Sequence, residues 1–490
     1  MPLLRVILTT PTTPGRRFAF HPGDHTGQSH AGAAVATQFL TGTIRKQRGP
    51  GSLGPAPGDP KLPRSKALLT TMTTSLRYTY DRPYRSLGVR LFNGIGGVVR
   101  RLGWERPLTM DRVLDAARRK TGLENFGRDD FREPLALLCD EFQNTAQLHP
   151  FGHYCMRKLL QSHAENRLKL EAAWQRHPEY LQQPLVRPLY VIGMPRTGTT
   201  LLYNLLCQDP NARPLMVWET LYPAPTEREE RRGDNRYRQW KASVMVKAMN
   251  RLAPNLKQVH AIEPDGPEEC GWLMNNTFVS LMFLLDGALP RYFRYFMDLP
   301  HERMLAVYDY YMRQLQLLQA GQTNRHWVLK SPVHQGTMAP LLETIPTAHV
   351  IHTHRDPMKV IPSLCSLVCM TRGIFTDRQD NAHVGPELAE RMVNAVEKGA
   401  AAEEAYGDRI TNVLFDTLVK DPIGTVRNVY ERFGYKYTDE MEAGMKRWLD
   451  NNPQGKHGAH KYELEQFGLT TADIQRIFGA YWNDVQKRAA

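Results

Sequence analysis

The chain has 490 residues, of which 41% are hydrophobic and 23% are charged, so a packed core is expected and a wholly disordered or fibrous protein is excluded. The net charge of +13 is uneven, because residues 1–110 hold 16 Lys and Arg against 4 Asp and Glu, and the other 380 residues carry only +1. No nucleic-acid partner is expected, since the basic charge of such a protein would extend over its folded domain.

The first segment, residues 1–75, is basic and rich in Pro, Gly, Ser and Thr. We expect a disordered, solvated arm, with weak attraction to an anionic membrane surface as the alternative. Translation is predicted to start at Met1 or at Met72. No apolar run approaches the about 20 residues that span a bilayer, and the start of the chain is a poor signal peptide. Six scattered cysteines without metal-ligand spacing indicate buried thiols in a cytoplasmic protein.

Residues 76–185 predict three or four amphipathic helices, because apolar residues recur there at three- and four-residue spacing. Thr109 is a suitable N-cap and Gly122 a suitable end for one of them. In the run 89–104 apolar residues are mixed with arginines, and we favour a helix packed on the core over one that lies on a membrane. This helical region is expected to pack on the domain that follows, 186–490.

The pattern changes at Leu189, where a short β-branched and aromatic run predicts a buried parallel strand, followed by a glycine-containing loop and a helix. Similar runs begin near residues 326, 347 and 410, and the last two lead into helices. Strands that alternate with helices predict an α/β fold. We expect a mainly parallel, P-loop-type sheet of four or five strands with helices on both faces and the helical region as an N-terminal extension.

A phosphate-binding loop is indicated by GMPRTGTT, residues 193–200, which has the Gly-x4-Gly spacing between a strand and a helix. Consecutive N–H groups and the helix N-terminus can surround a tetrahedral anion there. Enzymes that cleave nucleoside triphosphates place a lysine after the second glycine, but here Thr199 occupies that position and the cation, Arg196, lies inside the loop. The loop therefore suits an anion held without a metal ion. The alternative is a tight strand-to-helix turn.

A second anion site is indicated by HRDP, residues 354–357, with Ser363 eight residues beyond Arg355. Arg355 is predicted at a strand end, where open α/β sheets bind ligands, and a helix that starts at Pro357 turns Ser363 toward the same crevice. An arginine and a hydroxyl suit a phosphate, although a strand-end arginine alone is often only salt-bridged. Together the two sites predict a ligand with anionic groups at both ends.

These two signatures, in this order, resemble those of the superfamily of sulfotransferases that use 3′-phosphoadenosine 5′-phosphosulfate (PAPS). The likeness covers about 76–490 and matches bacterial-type members with PRTGTT, PEEC and HRDP motifs. It implies that the loop holds the 5′-phosphosulfate and that the HRDP arginine and the following serine bind the 3′-phosphate. The implied PAPS site comprises Pro195, Arg196, Thr197, Gly198, Thr199, Thr200, Arg355, Ser363 and, from a late loop, Lys456, His457 and Gly458.

The resemblance implies in-line transfer of a sulfuryl group to a hydroxyl or amine acceptor, with no metal required. Cations must offset the developing charge, so Arg196 and Lys330, in HWVLKSP, are the expected electrostatic residues. A general base should take the acceptor's proton. The small-molecule enzymes carry a histidine where this chain has Pro332, and we favour Glu219, which resembles in position a glutamate of the tyrosylprotein enzymes. The other candidates for the base are His260, His334, Glu268 and Glu269, each of which alone suits a surface or ion-paired role.

Residues 215–325 are expected to select the acceptor. Their sequence is compatible with a carbohydrate, a lipid, a sterol or an aromatic alcohol, so the acceptor is not identified. The oligomeric state is not predicted. Two other functions are weighed against sulfuryl transfer. A P-loop kinase or nucleotide triphosphatase would need the missing lysine and a strand-end aspartate for magnesium. A non-catalytic membrane scaffold would leave both anion sites unexplained.

Overall fold

The protein is seen in a computed structural model that describes residues 85–252, 262–320, 324–453 and 463–489. The expectations outside the described residues are those for the arm 1–75, Met72, His260, Lys456, His457 and Gly458. All described residues belong to a single compact unit, so the helical region and the sheet are parts of one body.

In the described part of the chain four α-helices precede the sheet, as their apolar spacing predicts. They are α1 (Leu87–Arg101), α2 (Met110–Thr121), α3 (Arg132–Asn144) and α4 (Pro150–Arg176). The Thr109 hydroxyl caps α2 by accepting an N–H hydrogen bond, and Gly122, at φ 71°, caps its other end. Helices α2, α3 and α4 share an apolar cluster with Phe278, Phe283 and Tyr292, so this part of the extension packs on the domain that follows.

The sheet has five described strands, all parallel, in the order β2-β3-β1-β4-β5. The strands are β1 (Leu189–Gly193), β2 (Ala212–Pro214), β3 (His326–Lys330), β4 (His349–His354) and β5 (Ile410–Leu414). The order places β1 at the centre, with β3 on one side and β4 on the other. Because the strand order reverses at β1, its carboxyl end opens into the crevice where sheets of this kind bind ligands.

Thirteen described helices follow β1, and they cover both faces of the sheet. They are α5 (Thr199–Leu206), α6 (Val217–Leu221), α7 (Glu227–Arg232), α8 (Arg236–Leu252), α9 (Pro290–Met297), α10 (His301–Gln319), α11 (Met338–Thr344), α12 (Pro357–Gly373), α13 (Asn381–Tyr406), α14 (Phe415–Lys420), α15 (Pro422–Phe433), α16 (Asp439–Asn451) and α17 (Thr471–Ala489).

Side chains of the strands alternate between two apolar clusters, one on each face. Tyr190 and Trp327 pack with α10 and α11 on one face, whereas Val191 and Val328 pack with α5, α15 and α16 on the other. Burying an apolar side chain of this size contributes about 1.5–3 kcal/mol, so both faces hold the sheet in place. The predicted α/β fold, with a parallel sheet between two helical layers and a helical N-terminal extension, is confirmed.

Three local features differ from the sequence-based expectation. The short β2 was not predicted, because Ala-Arg-Pro carries no strand pattern. The run 410–422 predicts a single strand, but β5 ends at Leu414, and the residues after it form α14. The prediction that the run 89–104 packs on the core is wrong for half of α1: Val89 is buried, but Leu91 and Ile95 are exposed. Among the described residues, no helix is long and apolar enough to cross a membrane.

Candidate active site

The loop after β1 follows a path that depends on its glycines. Gly193 lies so close to Thr353, near the end of β4, that a Cβ atom at this position would collide with the threonine. Arg196 and Gly198 both have positive φ, 72° and 89°, and Gly198 is the N-cap of α5. A non-glycine residue at such an angle is uncommon, which shows how tightly the loop is constrained around Arg196.

The three threonines of the loop have different positions. The Thr197 hydroxyl is buried, donates a hydrogen bond to the Met194 carbonyl at 2.7 Å and lies 2.6 Å from Thr353 Oγ1. Thr199 and Thr200 form the first turn of α5, the former buried and the latter exposed. The first N–H groups of a helix have no intrahelical acceptor, so this turn can bind an anion, whereas Thr197 supports the loop.

The two predicted anion sites meet at the carboxyl end of β1 and β4. Arg196 Nε donates a hydrogen bond to Ser363 Oγ in α12 at 3.1 Å, and Arg355 Nη1 donates one to the Arg196 carbonyl at 2.9 Å. The Arg355 guanidinium lies 3.9 Å from the centre of the Phe415 ring. The aromatic residue at the start of α14 was not predicted as part of the site, because its run of residues was interpreted as a continuing strand.

Neither Arg196 nor Arg355 forms an ion pair with another described residue, although Asp416 and Asp356 lie near enough to Arg355 to act on its charge. Burial, and then the nearby positive charge of Arg196, lower the pKa of Arg355. Arg355 Nε is buried without a hydrogen-bond partner among the described residues. Two adjacent guanidinium groups and a buried donor without an acceptor are the arrangement that an anionic group would complete. The residues present therefore fit a phosphate or sulfate ligand.

A lysine and a glutamate form an ion pair at the end of β3. The β1–β3 register sets Lys330 opposite Val191, two residues before the loop begins. Lys330 Nζ lies 2.6 Å from Glu269 Oε1, and Ser331 Oγ donates a hydrogen bond to Glu269 Oε2 at 3.1 Å. The Glu269 side chain retains 14% of its exposure against 4% for Lys330, so the carboxylate is the more accessible partner.

Glu219 lies away from this lysine. Its Oε1 accepts a hydrogen bond from Arg213 Nη2 at 2.8 Å, and its Oε2 accepts one from the Met216 N–H at 3.0 Å. The Arg213 guanidinium stacks on Trp327 at 3.9 Å, and that residue precedes Lys330 by three positions, about 10 Å along the strand. No hydrogen bond or ion pair joins Glu219 to Lys330 or to the loop among the described residues. One of its carboxylate oxygens caps the start of α6, and the other holds Arg213 of β2.

The remaining candidates for the base are also placed. Glu268 is buried, and its Oε1 accepts a hydrogen bond from the Glu269 N–H at 2.8 Å. His334 is enclosed in the core, with Cys270 Sγ at 3.3 Å from Nε2 and Tyr308 OH at 2.8 Å from Nδ1. Burial lowers the pKa of His334 to about 3, so its ring is neutral and without access to an acceptor. The sequence does not distinguish the environments of the neighbouring residues Glu268 and Glu269, which become clear only in the folded structure.

A buried histidine pair supports the strand that leads to Arg355. Donor atoms of His352, His354 and Glu403 lie within 4.8 Å of one another, and Arg488 also pairs with Glu403. The four ring nitrogens already have protein partners, which are Glu403, Gln335, Tyr481 and Asn412. Burial lowers the pKa of His354 to about 3. The cluster thus joins β4 to α13 and α17 as a hydrogen-bonded network.

The site residues fall within a stretch that known proteins share. A family model described as "Sulfotransferase family" matches residues 188–439, just over half of the chain. The chain belongs to the sulfotransferase family. The matched stretch includes the loop, Glu269, Lys330, Arg355 and Ser363. A kinase or nucleotide triphosphatase is therefore not favoured.

Solved sulfotransferases share the fold over most of this chain. STF9 from Mycobacterium avium is 32% identical, with a TM-score of 0.69, over 78% of this chain and 97% of that one. STF1 from Mycobacterium tuberculosis H37Rv is 29% identical, with a TM-score of 0.67, over 76% and 98%. The omega-hydroxy-beta-dihydromenaquinone-9 sulfotransferase Stf3 of M. tuberculosis is 22% identical over 61% of this chain and 75% of its own length. The sulfotransferase fold thus extends beyond the matched stretch.

Proposed function

We propose that this sulfotransferase moves the sulfuryl group of PAPS to a hydroxyl or amine acceptor by in-line attack. The observation that carries the proposal is the hydrogen-bonded chain Arg355–Arg196–Ser363 at the carboxyl end of β1 and β4. It joins two cationic side chains that form no ion pair with the described residues, and PAPS has anionic groups at two ends of one molecule. A nucleoside triphosphate carries its phosphates at one end only.

The chain's own groups divide the binding between the two ends. The N–H groups at the start of α5, with the Thr199 and Thr200 hydroxyls, would hold the phosphosulfate end. Arg355 and Ser363 would hold the 3′-phosphate, with the guanidinium positioned over the Phe415 ring. When bound, PAPS supplies the sulfuryl group and leaves as adenosine 3′,5′-bisphosphate.

Glu269 is the base that the geometry supports in place of Glu219. It lies at the strand end, keeps partial exposure and is held by Lys330 and Ser331. In the transfer the acceptor oxygen or nitrogen forms a bond to sulfur, the bond between sulfur and the bridging oxygen breaks, and the acceptor's proton passes to the Glu269 carboxylate. The Lys330 ammonium and Arg196 offset the negative charge that develops on the oxygens.

The acceptor is proposed as a hydroxyl-bearing small molecule or lipid. One relative is named for an omega-hydroxy group on a dihydromenaquinone, which is a lipid alcohol. At 22% identity that name suggests a first compound to assay, beside carbohydrate, sterol and aromatic alcohols. Transfer of a radiolabelled sulfuryl group from PAPS to each compound identifies the acceptor class.

The donor is tested by calorimetric titration of the purified full chain with adenosine 3′,5′-bisphosphate without magnesium, beside ATP with magnesium. We expect micromolar binding of the bisphosphate, loss of it in Arg355→Ala, and no binding of ATP. Arg427→Ala is the control, because Arg427 is an exposed arginine that pairs with Glu442. A preference for magnesium-ATP would overturn the proposal in favour of a kinase, and binding of neither ligand would favour the scaffold.

A further inference from the structure

Exposed apolar side chains are confined to two places in the described part of the chain. Ten large hydrophobic residues are exposed, six on α1 and directly after it and four on α8. They are Leu87, Leu91, Ile95, Val98, Leu102 and Trp104, and Tyr237, Trp240, Val244 and Met245. The first group is 52–73% exposed. A contiguous apolar surface of this kind on a folded protein marks an interaction site.

The six residues form one stripe, which we call the α1 stripe. Leu87, Leu91, Ile95, Val98 and Leu102 follow one another at intervals of four, four, three and four residues, the spacing of a single helix face. Trp104 continues the stripe just beyond the helix. A helix that buries its apolar face in the core has the same spacing. The hydrophobic pattern alone therefore does not reveal that this face points to solvent.

The opposite face of α1 is fixed to the body of the protein. The Phe92 ring packs against Phe151 and Tyr154 of α4, with ring centres 5.7 and 5.6 Å apart. Asn93 Oδ1 accepts a hydrogen bond from the Phe151 N–H at 2.9 Å, and Val89 is buried. The helix cannot rotate to bury the α1 stripe without giving up these contacts. The outward direction of the stripe is therefore set by packing.

The charges beside the α1 stripe are positive. Arg90 and Arg101 are exposed and stand on the helix next to the stripe. The helix contains no Asp or Glu, and Glu105 beyond it is held by Arg100, with Nε to Oε2 at 2.7 Å. An outward apolar face with arginines at its edge and a tryptophan at its end is the composition of helices that lie in the interface of an anionic lipid layer.

Other occupants of the stripe conflict with its charge. A symmetric pairing with a second copy would bring the same surface, and so the arginines of both copies, together. The segment that precedes α1, residues 1–84, holds 11 Lys and Arg against 3 Asp and Glu, so covering the stripe with it would also add like charge. The same basic segment would instead strengthen attraction to an anionic surface. We propose that α1, with Leu102 and Trp104, docks this protein in the plane of an anionic lipid membrane.

The proposal does not depend on sulfuryl transfer, and binding to vesicles tests it directly. The full chain is sedimented with phosphatidylcholine vesicles that contain phosphatidylglycerol, and with vesicles of phosphatidylcholine alone. We expect binding to the anionic vesicles, weaker binding to the neutral ones, and a decrease with added salt. Absence of binding to the anionic vesicles would overturn the proposal.

Two double variants of the full chain separate the helix from the basic segment before it. Leu91→Gln with Ile95→Gln removes apolar surface, and Arg90→Glu with Arg101→Glu reverses the flanking charge. Each should lower the vesicle partition coefficient by about tenfold or more. The first variant loses the burial of two apolar side chains in the lipid, the second loses the attraction of two arginines to anionic headgroups, and about 1.4 kcal/mol corresponds to a tenfold change. Unchanged circular dichroism shows that the fold is kept, as expected for exposed positions. Binding equal to that of the unaltered chain would overturn the proposal in favour of the segment 1–84.

Matched controls replace exposed apolar and basic residues outside α1. Val244→Gln with Met245→Gln removes exposed apolar surface from α8, and Lys436→Glu with Arg447→Glu reverses two exposed charges near α16. Both should bind vesicles as the unaltered chain does, and an equal loss in either would show that the binding is not specific to α1. Quenching by brominated lipid that disappears in Trp104→Phe gives a second readout. A dimer that the Leu91 and Ile95 changes dissociate, with vesicle binding intact, would assign the stripe to a second copy.

Discussion

Arg355 donates a hydrogen bond from Nη1 to the main-chain carbonyl of Arg196 at 2.9 Å, so the residue that follows β4 supports the tip of the loop that follows β1. The same guanidinium has a buried Nε that finds no hydrogen-bond partner among the described residues, and it lies over the Phe415 ring, 3.9 Å from the ring centre. One side chain thus shapes the loop and presents a donor to the ligand. A point charge at this position would fulfil neither role, because both depend on the planar fork of arginine.

Replacing Arg355 by lysine tests that dependence. We expect the affinity for adenosine 3′,5′-bisphosphate to fall by about tenfold or more, although the charge is retained, since a charge-assisted hydrogen bond contributes about 1.5–3 kcal/mol. Calorimetry measures the change, and Arg427→Lys, at an exposed arginine paired with Glu442, should leave the affinity as it was. An unaltered affinity in Arg355→Lys would mean that only charge matters at this position.

The assignment of the base is tested by two matched substitutions. Glu269→Gln should lower kcat by about 10²–10⁴-fold, the usual contribution of a general base, and should also lower stability, because it leaves the buried Lys330 charge unpaired. Glu219→Gln should change kcat by less than about tenfold but lower stability by about 3 kcal/mol, because it leaves the buried Arg213 charge unpaired. Steady-state kinetics and urea unfolding on both variants make the comparison. The opposite pattern would restore Glu219 as the base.

The position of the proposed base could not be predicted from the sequence, although the sheet and the anion sites could. Buried parallel strands are continuous apolar runs, so the runs that begin at 189, 326, 347 and 410 predict the sheet, and strand ends predict that Arg196, Arg355 and Ser363 meet. The place of a glutamate between strands depends on how a long connection folds back. Glu269 and Lys330 are 61 positions apart in the chain, and no local pattern encodes their contact.

The outward face of α1 was unpredictable for a related reason. Its apolar spacing describes a helix with one hydrophobic side but does not say what that side contacts. The answer depends on Phe92, which uses the other side of the helix to reach Phe151 and Tyr154. The expectation of a core-packing helix assumed that the larger apolar face would be the buried one.

The close approach of Gly193 to Thr353 predicts that Gly193→Ala is harmful to the site. The added methyl group would push the loop away from β4, with a cost of about 1–3 kcal/mol in stability and a loss of bisphosphate binding. Gly434→Ala is the matched control, because Gly434 also has positive φ, 64°, but a Cβ atom there would meet nothing within 4 Å. It should cost a similar stability from backbone strain and leave the affinity intact. Equal affinities in the two variants would show that the loop tolerates displacement.

Stability should decrease in acid, because many histidines are buried in the neutral form. Burial lowers the pKa to about 4 or about 3 for His149, His153, His163, His326, His334, His349 and His354. The unfolded chain takes up these protons below about pH 6.5, whereas the folded chain does so only near the lowered values. The unfolded state therefore binds more protons between these limits, and the free energy of unfolding falls by up to about 1.4 kcal/mol per pH unit for each such group.

Asp286 opposes this trend, since burial raises its pKa to about 7 and the folded state takes up that proton first as the pH falls. Burial also raises the pKa of Glu141 and Glu171, but seven histidines outweigh these three carboxyl groups, so the urea midpoint should be lower at about pH 5 than at about pH 7. His163→Gln should reduce the pH dependence by up to one proton, because His163 is fully enclosed and pairs only with Asn276 through Nδ1 among the described residues. His383→Gln, at an exposed position, should leave it unchanged. A midpoint independent of pH over this range would show that the buried histidines are already protonated in the folded protein.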